Sequence, residues 1–156
     1  MNWQCLPFDQ LSLAQLYAVL AARQQVFVLE QQCLYPDMDG LDQAAHHVLG
    51  WSDVAPSAEG PASAPQLCAY LRCLAPGVKF AEASLGRVLT TPAGRGTGTG
   101  RELLRRGIAQ AEELYPGQRL RIGAQLYLEK FYASFGFVTV SAPYDEDGIA
   151  HIDMLR

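Results

Sequence analysis

The sequence contains no run approaching the roughly 18 consecutive apolar residues that a membrane-crossing helix requires. It begins Met1-Asn2-Trp3, too polar a start for a secretory signal. Positive charge is not in excess: the formal net charge is −4, which favours neither nucleic acid nor an anionic membrane surface as a partner. Cysteine is scarce. Of Cys5, Cys33, Cys68 and Cys73, only Cys68 and Cys73 approach zinc-ligand spacing, and no second close pair of Cys or His follows them. No metal site is expected, and the thiols are expected to be reduced in a cytoplasmic protein. The glycine-rich segment near residue 95 is not followed by the Gly-Lys-Ser/Thr of a Walker loop. Asp37, Asp39 and Asp42 lack the loop length and closing glutamate of an EF-hand, so turn and capping duties are their expected role.

The chain has 156 residues, 49% of them hydrophobic and 18% charged, which suits one domain spanning residues 1–156. A chain of this length can bury roughly 68–70% of its unfolded surface without disulfides or metal. Ala55 to Pro65 is low in complexity and cannot contribute to a core, so residues 55–65 are expected to form a long, mobile hairpin loop within the domain.

The rest of the chain is organised around Ser84 to Leu114, read as strand, glycine loop and helix. Alternating glycines at Gly96, Gly98 and Gly100 allow a sharp turn and a close approach to a ligand. Exposed amides at the start of the following helix favour an anion. Thr99 and Glu102 have the spacing of a capping box, which would start the helix inside the glycine run. Six arginines between Arg95 and Arg121 suit a polyphosphate ligand. A Rossmann-like nucleotide site fits less well: its third glycine would fall on Leu103, and no acidic residue ends a strand about 20 residues on.

Upstream, Asn2 to Phe8 reads as a strand. Ser12 and Gln15 form a capping box, opening a helix to about Leu29 with Leu13, Leu16, Tyr17, Leu20 and Phe27 as its apolar face and Arg23 on the wet side. Strands follow at 46–51, 66–74 and 83–90. Beyond the glycine-loop helix, Arg119 to Gln125 alternates as a strand, reached by a parallel right-handed crossover. Leu126 to Phe135 carries helical spacing and ends at Gly136. Strands at 137–141 and 149–155 are joined by an acidic turn, Tyr144 to Gly148.

Arg95, Gly98 and Gly100 match Arg-x-x-Gly-x-Gly, and Tyr132-Ala133-Ser134-Phe135-Gly136-Phe137 matches Tyr-x-x-x-Gly-Phe. In both, the chain resembles the GNAT superfamily of N-acetyltransferases. Further segments resemble its ElaA-like branch: Val26 to Gln31, Tyr35, Asp39, Asp42, His46, Gly86-Arg87-Val88, Ala124-Gln125 and Glu146 to Met154. Ala150 stands where that branch usually has proline.

The resemblance implies an α/β GNAT fold: a mixed, mostly antiparallel central sheet, splayed between its fourth and fifth strands, with helices on both faces. It implies transfer of an acetyl group from acetyl-CoA, as co-substrate, to a primary amine of a small molecule or peptide. Gly96, Thr97, Gly98, Thr99 and Gly100, with Arg95, would hold the pyrophosphate. Val88, Leu89 and Thr90 would pair with the pantetheine arm as an added strand, with Gln125 and Tyr132 also against the coenzyme. An amide near Val88 would meet the carbonyl oxygen, and Tyr132 would protonate the leaving sulfur. For the base, His151 and Glu30 stand first, with His46 and Glu146 as alternatives. Cys33 or Cys68 would serve only in an acetyl-cysteine route. The carboxylates of Asp37, Asp39, Asp42, Asp145, Glu146 and Asp147 suggest a cationic acceptor. A catalytically silent acyl-CoA-binding regulator is the rival reading, and a homodimer stays open.

Overall fold

The computed structural model describes residues 1–53 and 64–156. Most of the expected 55–65 loop lies outside them. The strands are β1 (Asn2–Pro7), β2 (Ala45–Trp51), β3 (Leu67–Leu74), β4 (Ala83–Thr90), β5 (Leu120–Gln125), β6 (Val138–Thr139), β7 (Tyr144–Glu146) and β8 (Ile149–Leu155). They form one sheet in the order β1-β2-β3-β4-β5-β8-β6, with β7 also pairing β8. Among the described residues, only the β4–β5 pair is parallel.

Helices cover both faces. On one side, helix α2 (Thr99–Leu114) lays Leu103, Leu104, Ile108 and Ala111 against Val48, Leu71 and Ile122. Gly107 permits the close approach, because a Cβ there would stand 2.4 Å from a methyl of Leu71. On the other side, helix α1 (Leu13–Arg23) and its π-helical continuation (Gln24–Glu30) pack Val19, Ala22, Val26 and Phe27 against Leu49, Tyr70 and Leu89. β3 lies between the two layers and is buried on both faces along its length.

The capping box at Ser12 and Gln15 is present, but the apolar face of α1 differs from expectation. Leu13 and Tyr17 are 87% and 78% exposed, whereas Arg23, expected on the wet side, is fully buried. Position 23 faces the sheet, where aspartates of the following loop neutralise it.

At α2 the cap also differs. Gly98 is the N-cap, in a left-handed conformation (φ 77°), and no side chain caps the helix. The Thr99 hydroxyl instead pairs with that of Thr97 at 2.7 Å. Glu102 is taken by Arg105 and Arg106. The short helix α3 (Glu129–Ala133), after a 3-10 turn at Leu126–Leu128, occupies the expected 126–135 segment. The acidic turn is a tight hairpin: β7 turns at Asp147 (φ 55°) and Gly148 (φ 79°) into β8. Two successive left-handed residues are what a two-residue hairpin turn demands.

Gly94 closes the turn after β4 for a steric reason. A Cβ there would meet the backbone oxygen of Cys68 at 2.3 Å. Gly94→Ala is therefore expected to cost about 1–3 kcal/mol of stability, as overpacking does, read as a lower urea midpoint at unchanged m-value.

Candidate active site

β4 and β5 pair only at Ala83 with Leu120 and Ser84 with Arg121. Beyond Ser84 the two strands part. β4 stays with β3 as far as Thr90, and β5 stays with β8 as far as Gln125. A parallel pair usually continues its ladder. Here its interruption opens a cleft of about 530 Å³, walled by Leu85 and Val88 on one strand and Ile122 and Gln125 on the other.

The β4 wall carries a bulge. Tyr70 pairs with Leu89 and Arg72 with Gly86, so Arg87 and Val88 together stand opposite Leu71. Arg87 adopts φ 53°, a left-handed conformation that costs a residue with a Cβ about 1–2 kcal/mol. Bulges of this kind re-aim backbone groups next to sites.

Beyond the end of β4, Gly96 (φ 76°) and Gly98 (φ 77°) turn the chain into α2. The amides of residues 96–100 make no close backbone hydrogen bond among the described residues, whereas Arg101 and Glu102 bond back to the Gly98 carbonyl. Open space lies where a Cβ of Gly96 or Gly98 would project. A row of unspent donors at a helix N-terminus is suited to an anion. The Thr97 hydroxyl bonds to the Gly94 carbonyl at 3.2 Å, which ties the loop to the preceding turn. Arg95 reaches back to Glu30 at 2.5 Å and to the Thr90 carbonyl at 3.2 Å.

Tyr132 lines the cleft. Its ring is buried edge-on against Phe131 and Phe137, while its hydroxyl has no hydrogen-bond partner among the described residues. Burial, with a smaller contribution from Tyr127, pushes its pKa up to about 12. At neutral pH the phenol therefore holds its proton. Gln125 lines the same cleft, donating to the Gln31 side chain at 3.1 Å and accepting from Tyr127 at 2.5 Å. Of the three β4 residues expected at the coenzyme, Val88 faces the cleft and Leu89 is buried against α1. Thr90 ends the strand, beside the turn to Gly94.

The base candidates separate. His151 lines the cleft, with Nδ1 2.8 Å from the Ile149 carbonyl and its ring stacked on Tyr144. An Nδ1–H held by that carbonyl leaves Nε2 as the acceptor, 3.9 Å from Glu146. Glu30 is not among the residues that line the cleft. Its pairing with Arg95 depresses its pKa, so it stays ionised and engaged. His46 is also outside the cleft, in β2 beside Pro7 and Cys73.

Cys33 lines the cleft, but burial, then Asp147 and Glu146, raise its pKa, favouring the thiol over the nucleophilic thiolate. Cys68 lies elsewhere, under the turn at Gly94.

Of the three loop aspartates, Asp39 has the expected turn role, accepting from the Leu41 amide at 3.1 Å, but all three are engaged chiefly by arginines. Arg23 holds Asp37 and Asp42, each at 2.7 Å. Arg72 holds Asp39 at 2.6 Å and Asp42 at 2.9 Å. Arg87 lies 2.7 Å from Asp37 and 3.3 Å from Asp39. Under this lattice, His47 bridges the Tyr70 hydroxyl (2.8 Å) and the Asp42 carbonyl (3.0 Å). Asp37, Asp39 and Asp42 are thus committed to arginines and offer little to a cationic acceptor. Sequence reasoning missed the arginine partners entirely. The spaced aspartates were the available signal, but nothing local ties them to positions 23, 72 and 87.

No helix among the described residues is long and apolar enough to cross a membrane. Residues 78–156 match the acetyltransferase (GNAT) domain family. The chain is 42% identical over 155 residues to a UPF0039 protein of Synechocystis, covering 99% of this chain and 94% of that protein. It is 38% identical over 158 residues to Protein ElaA of Escherichia coli K12, covering all of this chain and 96% of ElaA. The crystal structure of ElaA superposes with a TM-score of 0.85, over 99% of this chain and 98% of that one. An acyl-CoA N-acyltransferase from Pseudomonas aeruginosa superposes with a TM-score of 0.88 at 39% identity, over the same shares of the two chains. The splayed sheet, the glycine loop that follows β4 and these full-length similarities place the chain in the GNAT acetyltransferase superfamily, in the branch that contains ElaA.

Proposed function

We propose that this protein, acting as one domain over residues 1–156, transfers an acetyl group from acetyl-CoA directly to a primary amine. The observation that carries the reading is the opened β4–β5 pair, with a glycine loop of unpaired amides following β4 and a protonated, unpartnered phenol lining the cleft.

In this reading the amides of residues 96–100 receive the pyrophosphate. Arg95 adds positive charge while tied to Glu30. The β4 edge from Val88 to Thr90 has no strand partner on the β5 side, so its main chain is free to pair with the pantetheine amides. Gln125 borders the arm from the opposite wall. The amine nitrogen attacks the thioester carbonyl, and negative charge gathers on that oxygen. An amide at the β4 bulge, near Val88, is the donor placed to stabilise it. The amine proton passes to Nε2 of His151, directly or through water. The C–S bond then breaks, and Tyr132 donates its proton to the departing sulfur.

Arginines neutralise the 37–42 aspartates and Arg121 pairs with Asp153, so Glu146 and Asp147 are the cleft-lining carboxylates left among the described residues to favour a cationic acceptor. Thiol release from acetyl-CoA over a panel of amines tests this. Faster turnover of polyamines or lysine-like amines than of neutral or anionic amines is expected. The reverse order contradicts the acceptor class.

The glycine loop gives a second check. Gly98→Ala forces a left-handed alanine, a strain of about 1–2 kcal/mol, and should raise the Kd for coenzyme A about tenfold by calorimetry. An unchanged Kd would remove the loop from the coenzyme site.

A further inference from the structure

We propose that Arg87 is a positioning residue for the transfer, holding the acceptor-side wall of the cleft in register with the β4 bulge. The proposal rests on the acyl-transfer reading above.

The wall is the segment between Glu30 and Asp42, which has no helix or strand of its own. Cys33, Tyr35, Pro36 and Asp39 line the cleft from it. Its main-chain bonds among the described residues run from Gln31 to Val26, Cys33 to Phe27 and Ala44 to Leu41, so the middle of the segment is held by side chains. Three arginines supply that hold. Arg23 and Arg72 are buried beneath the segment and do not face the cleft. Arg87 is the one that lines the cleft.

Arg87 grips the wall at several points. Its Nε lies 2.7 Å from Asp37 Oδ1, and its Nη2 donates to the Asp37 carbonyl at 3.0 Å and to Asp39 Oδ2 at 3.3 Å. Its guanidinium also lies 5.1 Å from the centre of the Tyr35 ring, and the Tyr35 hydroxyl donates to Asp37 at 3.3 Å. The same residue is the left-handed member of the bulge, next to Val88. One side chain therefore joins the backbone kink beside Val88 to the Tyr35 ring of the wall. A displaced wall would misplace an acceptor without touching the glycine loop, because misplacement of about 1 Å is costly in a transfer reaction. Lysine keeps the charge but lacks the planar fork that reaches two aspartates and a carbonyl together.

The test compares the full-length protein with Arg87→Gln and Arg87→Lys by hydrogen exchange and mass spectrometry. In Arg87→Gln the amides of residues 33–42 should exchange at least tenfold faster, with Arg87→Lys intermediate. Exchange in residues 99–114 and the Kd for acetyl-CoA should change less than twofold. For whichever of spermidine, Nα-acetyl-lysine and kanamycin the parent turns over fastest, KM should rise at least tenfold in Arg87→Gln and threefold in Arg87→Lys, with KM for acetyl-CoA unchanged. The lysine variant decides the matter if the glutamine variant does not fold. Unchanged exchange in residues 33–42, or a loss shared equally between donor and acceptor, overturns the proposal. Failure of the parent to bind acetyl-CoA would remove the acyl-transfer reading instead, while the exchange rates would still show whether Arg87 holds the wall.

Discussion

Tyr132→Phe should lower kcat by on the order of 10²-fold or more, the usual contribution of a positioned acid, while the Kd for acetyl-CoA stays within about twofold. The split follows from the surroundings of the side chain. The ring is held by Phe131 and Phe137, contacts that phenylalanine keeps. The hydroxyl bonds to no described residue, so its removal leaves no orphaned partner in the protein. Its pKa of about 12 makes it a proton carrier at every pH at which the protein would be assayed. The effect should therefore show no alkaline limb near neutrality. Steady-state kinetics and calorimetry on the same preparations check both halves. A variant with unchanged kcat would move the acid elsewhere. A parent with measurable coenzyme binding and no turnover of any amine would favour the silent binding module.

The largest loss of stability is expected at Asp42. Its carboxylate accepts from two buried guanidiniums, Arg23 at 2.7 Å and Arg72 at 2.9 Å. Removing one partner from a buried ion pair costs about 3–5 kcal/mol, because the remaining charge stays out of water. Asp42→Ala should lose that much, measured by urea denaturation, whereas Asp42→Asn keeps the shape and should lose less. Burial works to raise the pKa of Asp42, but Arg23 and Arg72 outweigh it and hold the group below the ordinary carboxylate range. Asp39 is lowered in the same way, against its own burial, by Arg72, the Leu41 amide and Arg87. A carboxylate depressed in the folded state stabilises above its unfolded pKa of about 4 and loses that contribution as pH falls toward the folded value. The pair should therefore make stability fall with acidification below about pH 4. In Asp42→Ala the slope there should be shallower.

The features that could be read from sequence are those built from neighbours along the chain. The Ser12–Gln15 capping box, the strand–turn–helix around Gly98 and the alternation of β5 each involve residues a few positions apart. The Asp147-Gly148 pair carried the signal of a hairpin turn, yet the acidic residues before it suggested a loop rather than β7. The glycine run located the helix start, although Gly98 rather than Thr99 became the cap, because the left-handed turn needs glycine there. Long-range chemistry was out of reach. Arg23 follows a hydrophilic pattern and is buried because Asp37 and Asp42, 14 and 19 positions on, neutralise it. Glu30 looked available as a base because its partner, Arg95, lies 65 positions away. Leu13 and Tyr17 have helical spacing on a face that happens to point to solvent. The parting of β4 from β5 has no local pattern at all and entered through the family resemblance.

The most direct test of the central claim is a titration of the isotopically labelled 17.1 kDa protein with coenzyme A, following backbone amide resonances by NMR. The largest shift changes should fall on residues 96–100, where the free N–H groups gather, with a second set along Val88 to Thr90 on the open edge of β4. Saturable binding that left both segments unmoved, or shifts confined to another face of the sheet, would contradict it.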